Sequence, residues 1–195
     1  MTIKSLLRLA ATSTLLFVCA GIAAAQGPVA DADTTTSELT MNATVQTSVQ
    51  LNISTGSGGS TVSGSDATGL YSVEFGNING LGTGTPSAGV TKAIDASGTL
   101  YTTPINLTPV FSGFVGGATA VIEVAQDPAG DTDMAREGGA ANSTATVSTG
   151  ASTFAVGGIA SGVPTQRFVG MYAARSEVAG AKQATLIYTV TVALD

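Results

Sequence analysis

The clearest pattern in the chain is a strict alternation of apolar and polar residues over positions 39–53. Every even position is polar, and every odd position is apolar or small except Thr47. A period of two residues is typical of a β-strand with one buried face. The apolar face consists of Leu39, Met41, Ala43, Val45, Val49, Leu51 and Ile53.

The length of this alternating segment sets it apart from an ordinary strand. At about 3.3 Å per residue, its 15 residues would extend about 50 Å. A common strand extends only about 20 Å. The segment is therefore predicted to be either one strand that bends between two sheets or two strand lengths in tandem.

The rest of the chain shows short stretches of the same period, separated by sequence rich in turn-forming residues. Strands are predicted over 71–76, 91–95, 98–103, 105–111, 118–126, 143–149, 152–156, 166–173 and 184–194, and loops over 54–69, 79–90 and 127–142. No stretch has the 3.6-residue period of an amphipathic helix. This pattern predicts a single all-β domain over residues 39–195, folded as an antiparallel β-sandwich or barrel.

The first 25 residues have the three parts of a secretory signal peptide. Lys4 and Arg8 supply a positive start, 15–22 is a short apolar stretch, and alanines at 23–25 precede a cleavage site. The apolar stretch is shorter than the roughly 20 residues that a bilayer span needs. We therefore predict cleavage after Ala25, a flexible acidic leader over 26–38, and export to the periplasm, the cell surface or the extracellular space.

The composition of the mature chain limits the kinds of functional site that it can contain. It contains no His and no Trp, and its only Cys is removed with the signal peptide. The commonest general base and the commonest metal ligand are thus both missing. Cleavage also leaves 5 basic against 13 acidic residues, a net charge of −8, which argues against binding nucleic acid. The mature chain has no second long apolar run, so we predict that it does not insert into a membrane. We also predict no catalytic site, cofactor or metal site.

Two further residue groups have simple structural interpretations. Asp127, Asp131 and Asp133 lie close together on one loop, but their spacing matches no EF-hand; a solvated acidic turn explains them, and calcium binding stays an open alternative. The aromatic residues that we predict to be core residues are Tyr71, Phe75, Phe111, Phe154, Phe168, Tyr172 and Tyr188.

Short motifs near the two ends of the mature chain resemble a known family. These motifs are Val73-Glu74-Phe75-Gly76, Phe168-Val169-Gly170-Met171-Tyr172, Val178-Ala179-Gly180 and the final alternating stretch 185–194. Their order resembles that of secreted pilin-type subunits of the spore coat protein U and chaperone–usher kind. The resemblance implies an immunoglobulin-like or pilin-like β-sandwich, self-assembly with identical or similar subunits, and help from a periplasmic chaperone. Subunits of this kind often carry a disulfide, which the mature chain cannot form.

The sequence therefore supports two functional hypotheses. The first is a non-catalytic structural subunit of a cell-surface appendage or coat that assembles by β-strand addition. An unpaired sheet edge accepts a further strand readily, and the alternating segment is the candidate donor. An intramolecular first strand is the alternative role for the same segment. The second hypothesis is a monomeric secreted binding module for carbohydrate or a surface ligand, using its Gly-, Ser- and Asp-rich loops.

Overall fold

The computed structural model describes residues 40–114, 116–131, 134–149 and 153–193. The predicted signal peptide (1–25), the acidic leader (26–38) and Leu39 lie outside the described residues. Contacts divide the chain into one unit ending at Asn42 and a second unit that begins at Ala43 and holds every strand found in the described ranges. Nothing in the described ranges forms a helix suited to crossing a membrane.

All regular secondary structure in the described ranges is β-strand. The strands are β1 (Ser48–Thr55), β2 (Val62–Ser65), β3 (Leu70–Val73), β4 (Thr91–Ile94), β5 (Gly98–Ser112), β6 (Thr119–Gln126), β7 (Ala135–Gly138), β8 (Thr144–Thr146), β9 (Thr153–Ile159), β10 (Thr165–Ala174) and β11 (Leu186–Ala193). Every pairing between these strands is antiparallel. The prediction of an all-β, antiparallel protein is confirmed.

The larger sheet is organised around the long strand β5. Its strand order is β1-β5-β10-β7-β8, and β4 also pairs with β5. β4 pairs with residues 99–102 and β1 with residues 105–112, while β10 pairs with 98–107. Since the β10 pairing overlaps both of the others, β10 occupies one edge of β5, and β4 and β1 follow one another along the opposite edge.

Pro104 lies where these two partners of β5 meet. Its carbonyl oxygen accepts a hydrogen bond from the Gly56 N–H at 3.1 Å, on the edge that β1 occupies. In an antiparallel strand the N–H and C=O of one residue point to the same edge. The N–H that proline lacks therefore falls at the junction of β1 and β4, and the pairing with β10 loses no hydrogen bond.

A second layer covers the inner face of this sheet and gives the fold its sandwich-like form. It contains a three-stranded sheet of order β11-β6-β9 and the separate hairpin β2-β3. The buried core between the layers consists of Ile105, Leu107, Ile122, Ile159 and Val169. Side chains of the hairpin and of β11 pack on this core but stay only partly buried; they are Val62, Val73, Leu186, Tyr188 and Val190.

Some predicted element bounds differ from the structure. β2 and β7 lie inside predicted loops, because four-residue strands are too short to show a clear period. The two strands predicted over 98–103 and 105–111 are one strand, because Pro104 does not interrupt the pairing with β10.

The prediction that the aromatic residues form the core is wrong for two residues of β10. Phe168 and Tyr172 alternate with buried Val169 and Met171, so they lie on the outer face of the sheet. Tyr172 packs there beneath Arg136, with the guanidinium carbon 5.0 Å from the ring centre. Tyr101, absent from the predicted set, is fully buried, and the Phe154 side chain is outside the described structure.

Replacing a core residue of β6 tests this assignment of the core. Ile122→Ala removes a side chain with 0% exposure and is expected to lower the free energy of unfolding by about 2–5 kcal/mol. Ile94→Ala makes the same chemical change at a position that is 56% exposed, and we expect a loss below about 1 kcal/mol. Urea unfolding of both variants measures the difference. Equal losses would contradict the assignment.

Candidate functional site

A groove of about 1500 Å³ opens in the second layer. Small-molecule pockets have volumes of about 300–1,000 Å³. Residues 70–81, which we call the first wall, line one side of it, and residues 177–188, the second wall, line the other. The groove is thus a gap in the layer between the β2-β3 hairpin and β11.

Three hydroxyl groups on the inner face of β5 fix the neighbouring irregular chain. The hydroxyl of Thr99 donates to the Gly80 carbonyl at 3.1 Å, and that of Tyr101 donates to the Asn79 carbonyl at 2.9 Å. The Thr103 hydroxyl donates to a third carbonyl, that of Gly89, at 3.0 Å. The first wall is therefore attached to the larger sheet through side chains, without forming a strand of the second layer there.

The second wall is held by the loop that follows β6. The Asp131 N–H donates to the Gln183 carbonyl at 2.8 Å, and the Asp131 carboxylate accepts from the Gln183 N–H at the same distance. The Lys182 ammonium lies 3.6 Å from that carboxylate and 2.5 Å from Glu177. The Glu177 carboxylate, as a hydrogen-bond partner, raises the pKa of Lys182. Part of the acidic loop thus positions the second wall.

The bottom of the groove is apolar. Val169 and Met171 of β10 are each 9% exposed, and Ile105 of β5 lies beside them at 2%. Half-buried side chains surround this floor; they are Leu51, Ile53, Val73, Phe75, Leu186 and Tyr188.

The rim of the groove carries exposed apolar side chains. Leu70 and Leu81 belong to the first wall, and Val178 and Ile187 belong to the second. Leu70 is 73% exposed and Val178 is 76% exposed. Exposed apolar side chains therefore lie on both walls of the groove.

The backbones of both walls include sheet edges. In the described structure β11 has one hydrogen-bonded strand neighbour, β6, and β3 has one, β2. An edge strand presents N–H and C=O groups that can pair with an added strand. The groove therefore combines an apolar floor with two strand edges.

A buried polar cluster lies behind the second wall. Arg167 donates two hydrogen bonds to Glu137, at 2.7 and 2.8 Å, and the side chains are only 15% and 5% exposed. The hydrogen bond to Glu137 raises the pKa of Arg167. The hydroxyl of Tyr188 is buried nearby without a hydrogen-bond partner among the described residues. Its burial, and to a lesser degree the negative charge of Glu137, raise the pKa of Tyr188.

The structure divides the alternating segment into two parts. Val49, Leu51 and Ile53 lie in β1, which pairs with β5 of the same chain over eight residue pairs, so these three residues serve the intramolecular sheet. Residues 40–47 form no strand, and all of them are exposed. Met41 is 85% exposed and Val45 is 81% exposed, and Ala43 between them is also exposed.

The predicted ligand loops contain regular structure and hydrogen bonds to the sheets. The loop over 54–69 contains β2 and the turn of a hairpin, and 79–90 is held by the hydroxyls of β5. The Asp127 carboxylate accepts a hydrogen bond from the Ala129 N–H at 2.9 Å. Among the described residues no three metal-ligating side chains come together; Asp133 is not among those residues.

The buried ion pair gives a direct test of the polar cluster. Glu137→Gln leaves the Arg167 charge without its partner, and we expect a loss of about 3–5 kcal/mol in the free energy of unfolding. The double variant Glu137→Leu with Arg167→Met should lose less than either Glu137→Gln or Arg167→Met alone, because no unpaired charge remains. Glu177→Gln, in the surface pair with Lys182, is the control and should cost below about 1 kcal/mol. Chemical denaturation of the four variants measures these losses in the free energy of unfolding. A double variant less stable than both single variants of the ion pair would refute this account.

Alkaline unfolding tests the burial of Tyr188. Its raised pKa means that the unfolded chain loses the phenol proton first, so this group destabilises the fold as pH rises above about 10. Tyr188→Phe should therefore show a smaller loss of unfolding free energy between about pH 9 and pH 11 than the wild type does. Urea titrations at several pH values measure the slope, and identical slopes would argue against a buried phenol.

Contacts between residues far apart in sequence form the groove, its two walls and the buried polar cluster. Local sequence patterns therefore did not predict them. The local signal in the sequence is a set of hydroxyl residues at the alternate positions Thr99, Tyr101 and Thr103, which gives the inner face of this strand an unusual polar character. Comparison of the chain with models of known families, with curated protein sequences and with solved structures finds no match.

Proposed function

We propose that the protein is an exported, non-catalytic structural subunit of a cell-surface appendage or coat, with a pilin-like sandwich that lacks one strand. Assembly proceeds by insertion of residues 40–47 of one copy into the groove of the next. The main support for this proposal is that one chain contains both an exposed, unpaired alternating segment and an apolar groove bordered by strand edges.

The dimensions of segment and groove support this proposal. Met41 and Thr47 are six residues apart, which in an extended strand is about 20 Å. The same distance separates Arg167 from Ala173 along β10, whose residues Val169 and Met171 form the floor. The inserted strand would place its apolar face on this floor and its polar face toward solvent.

Burial of the apolar face supplies the driving force for insertion. Met41 and Val45 are almost fully exposed in the single chain. Each contributes about 1.5–3 kcal/mol when fully buried. Backbone hydrogen bonds to the wall edges add affinity.

The start of β1 favours insertion into another copy. The turn after β5 brings Gly113 against the backbone of Gln46 and Thr47, with φ +81° at the glycine. This turn lies at the opposite end of β5 from Thr99, which anchors the first wall. The segment thus leaves β1 at that end, and entering its own groove would require it to reverse direction.

Insertion from one copy to the next makes a head-to-tail contact. The donor surface and the acceptor surface are different parts of the chain, so the contact does not close on itself. Open-ended contacts of this type generate filaments. This outcome suits an appendage or a coat.

Charge substitutions on the two faces of the segment test the proposal. Val45→Asp puts a carboxylate on the inserted face and should reduce filament mass by more than roughly tenfold, because burying an unpaired charge is costly. Thr44→Asp places the same charge on the neighbouring, solvent-facing position and should leave assembly within about twofold of the wild type. Negative-stain microscopy and size-exclusion chromatography of the mature protein give the readout.

A mixing experiment separates donor from acceptor. Val178→Asp on the groove rim should block acceptance while leaving the donor segment intact. Neither Val45→Asp nor Val178→Asp should polymerise alone, but a mixture should give one-to-one dimers. Filaments from Val45→Asp, or no dimer in the mixture, would reject strand insertion. A monodisperse wild-type monomer with saturable glycan binding would instead support the secreted binding module.

A further inference from the structure

We infer that the groove accepts the strand in one direction only, with Asp66 and Glu74 excluding its acidic N-terminal flank from their end. This inference rests on the proposed function and adds the polarity of the inserted strand. Residue 40 then lies near Val178, and residue 47 lies near Leu70.

Backbone pairing leaves the direction open, because the two walls run in opposite directions. Gly80, near the end of the first wall, packs against the Ala174 backbone. Glu177, at the start of the second wall, donates its N–H to the Ala174 carbonyl at 3.0 Å. Both walls therefore meet at Ala174 and diverge from it in antiparallel fashion along the chain. A strand inserted in either direction is antiparallel to one wall and parallel to the other.

The two ends of the groove differ in charge. Around Leu70 the charged lining residues are Asp66 and Glu74, with no cation. Around Val178 the lining residues include two cations, Arg175 and Lys182, and two acids, Glu177 and Asp127. One end is therefore acidic and the other is close to neutral.

The inserted segment has a matching asymmetry. Residues 26–39, directly before it, include Asp31, Asp33 and Glu38 and no Lys or Arg, whereas 40–55 contains no charged side chain. Like charges brought together at an interface are unfavourable and select against the wrong arrangement. The acidic flank is therefore directed to the Arg175 and Lys182 end.

The sizes of the side chains favour the same direction. Along β10 toward Ala174, the groove-lining positions on the inner face are Val169, Met171 and Ala173. In the inferred direction Val45, Ala43 and Met41 lie over them in that order. The small Ala43 faces the large Met171, and the large Met41 faces the small Ala173, which is the alternation that closely packed layers require.

Cysteine pairs measure the direction, because the mature chain contains no cysteine of its own. One variant of the mature chain carries Thr40→Cys with Val178→Cys, and the second carries Thr40→Cys with Leu70→Cys. All three positions are exposed, so the substitutions leave the core intact. Filaments assembled in reductant and then oxidised should give covalent multimers on a non-reducing gel for the Val178 variant, at roughly tenfold higher yield than for the Leu70 variant.

A third variant, Thr40→Cys with Ile94→Cys, gives the background, since Ile94 is exposed and lies outside the groove lining. The inferred direction is wrong if the Leu70 pair cross-links better than the Val178 pair, or if neither pair exceeds this background. Strand insertion itself would still stand. Absence of filaments from the wild type rejects the proposed function instead.

Salt and charge reversal test the cause of the selection. With Asp66→Lys and Glu74→Lys combined, the share of Leu70 cross-links should rise several-fold, and about 1 M salt should reduce this change because the Debye length falls to about 3 Å. A cross-linking ratio that ignores both treatments would show that Asp66 and Glu74 do not select the direction.

Discussion

The groove depends on how the inner face of β5 is covered. Thr99, Tyr101 and Thr103 present three hydroxyls at alternate positions, and each donates to a carbonyl of the chain between β3 and β4. Buried carbonyls need partners, and here side chains supply them in place of a strand ladder. The covering chain can thus be irregular without losing hydrogen bonds. The second layer is left without a strand at the position where residues 74–81 pass, and the floor beside it stays accessible.

The second wall, in contrast, is held by contacts that lie outside the core. Asp131 joins the backbone at Gln183 by both its N–H and its carboxylate. Lys182 adds charge contacts that are partly exposed, and such contacts stabilise little by themselves. The wall is therefore placed mainly by backbone hydrogen bonding, which fixes its position without filling the space beside it.

The sequence predicts some of these features and not others, for physical reasons. β6, β10 and β11 are long enough for their two-residue period to be unambiguous, and they were predicted within one or two residues. β2 and β7 are short, and their pairing depends on partners elsewhere in the chain. The ion pair joins Glu137 to Arg167 across two adjacent strands, and no local pattern reveals that pairing. The unusual length of the alternating segment was evident from the sequence, but its division at Ser48 is set by where β5 ends.

The register of β1 has a mechanical consequence for any fibre built in the proposed way. β1 begins at Ser48, directly after the inserted residues, so no slack chain separates one subunit from the next. Tension along the fibre would pull on β1 along its own axis. Its ladder to β5, from the Ser48–Ser112 pair to the Thr55–Ile105 pair, would be loaded in shear. Because hydrogen bonds across an antiparallel ladder are perpendicular to that axis, all eight residue pairs resist the load together instead of opening one by one.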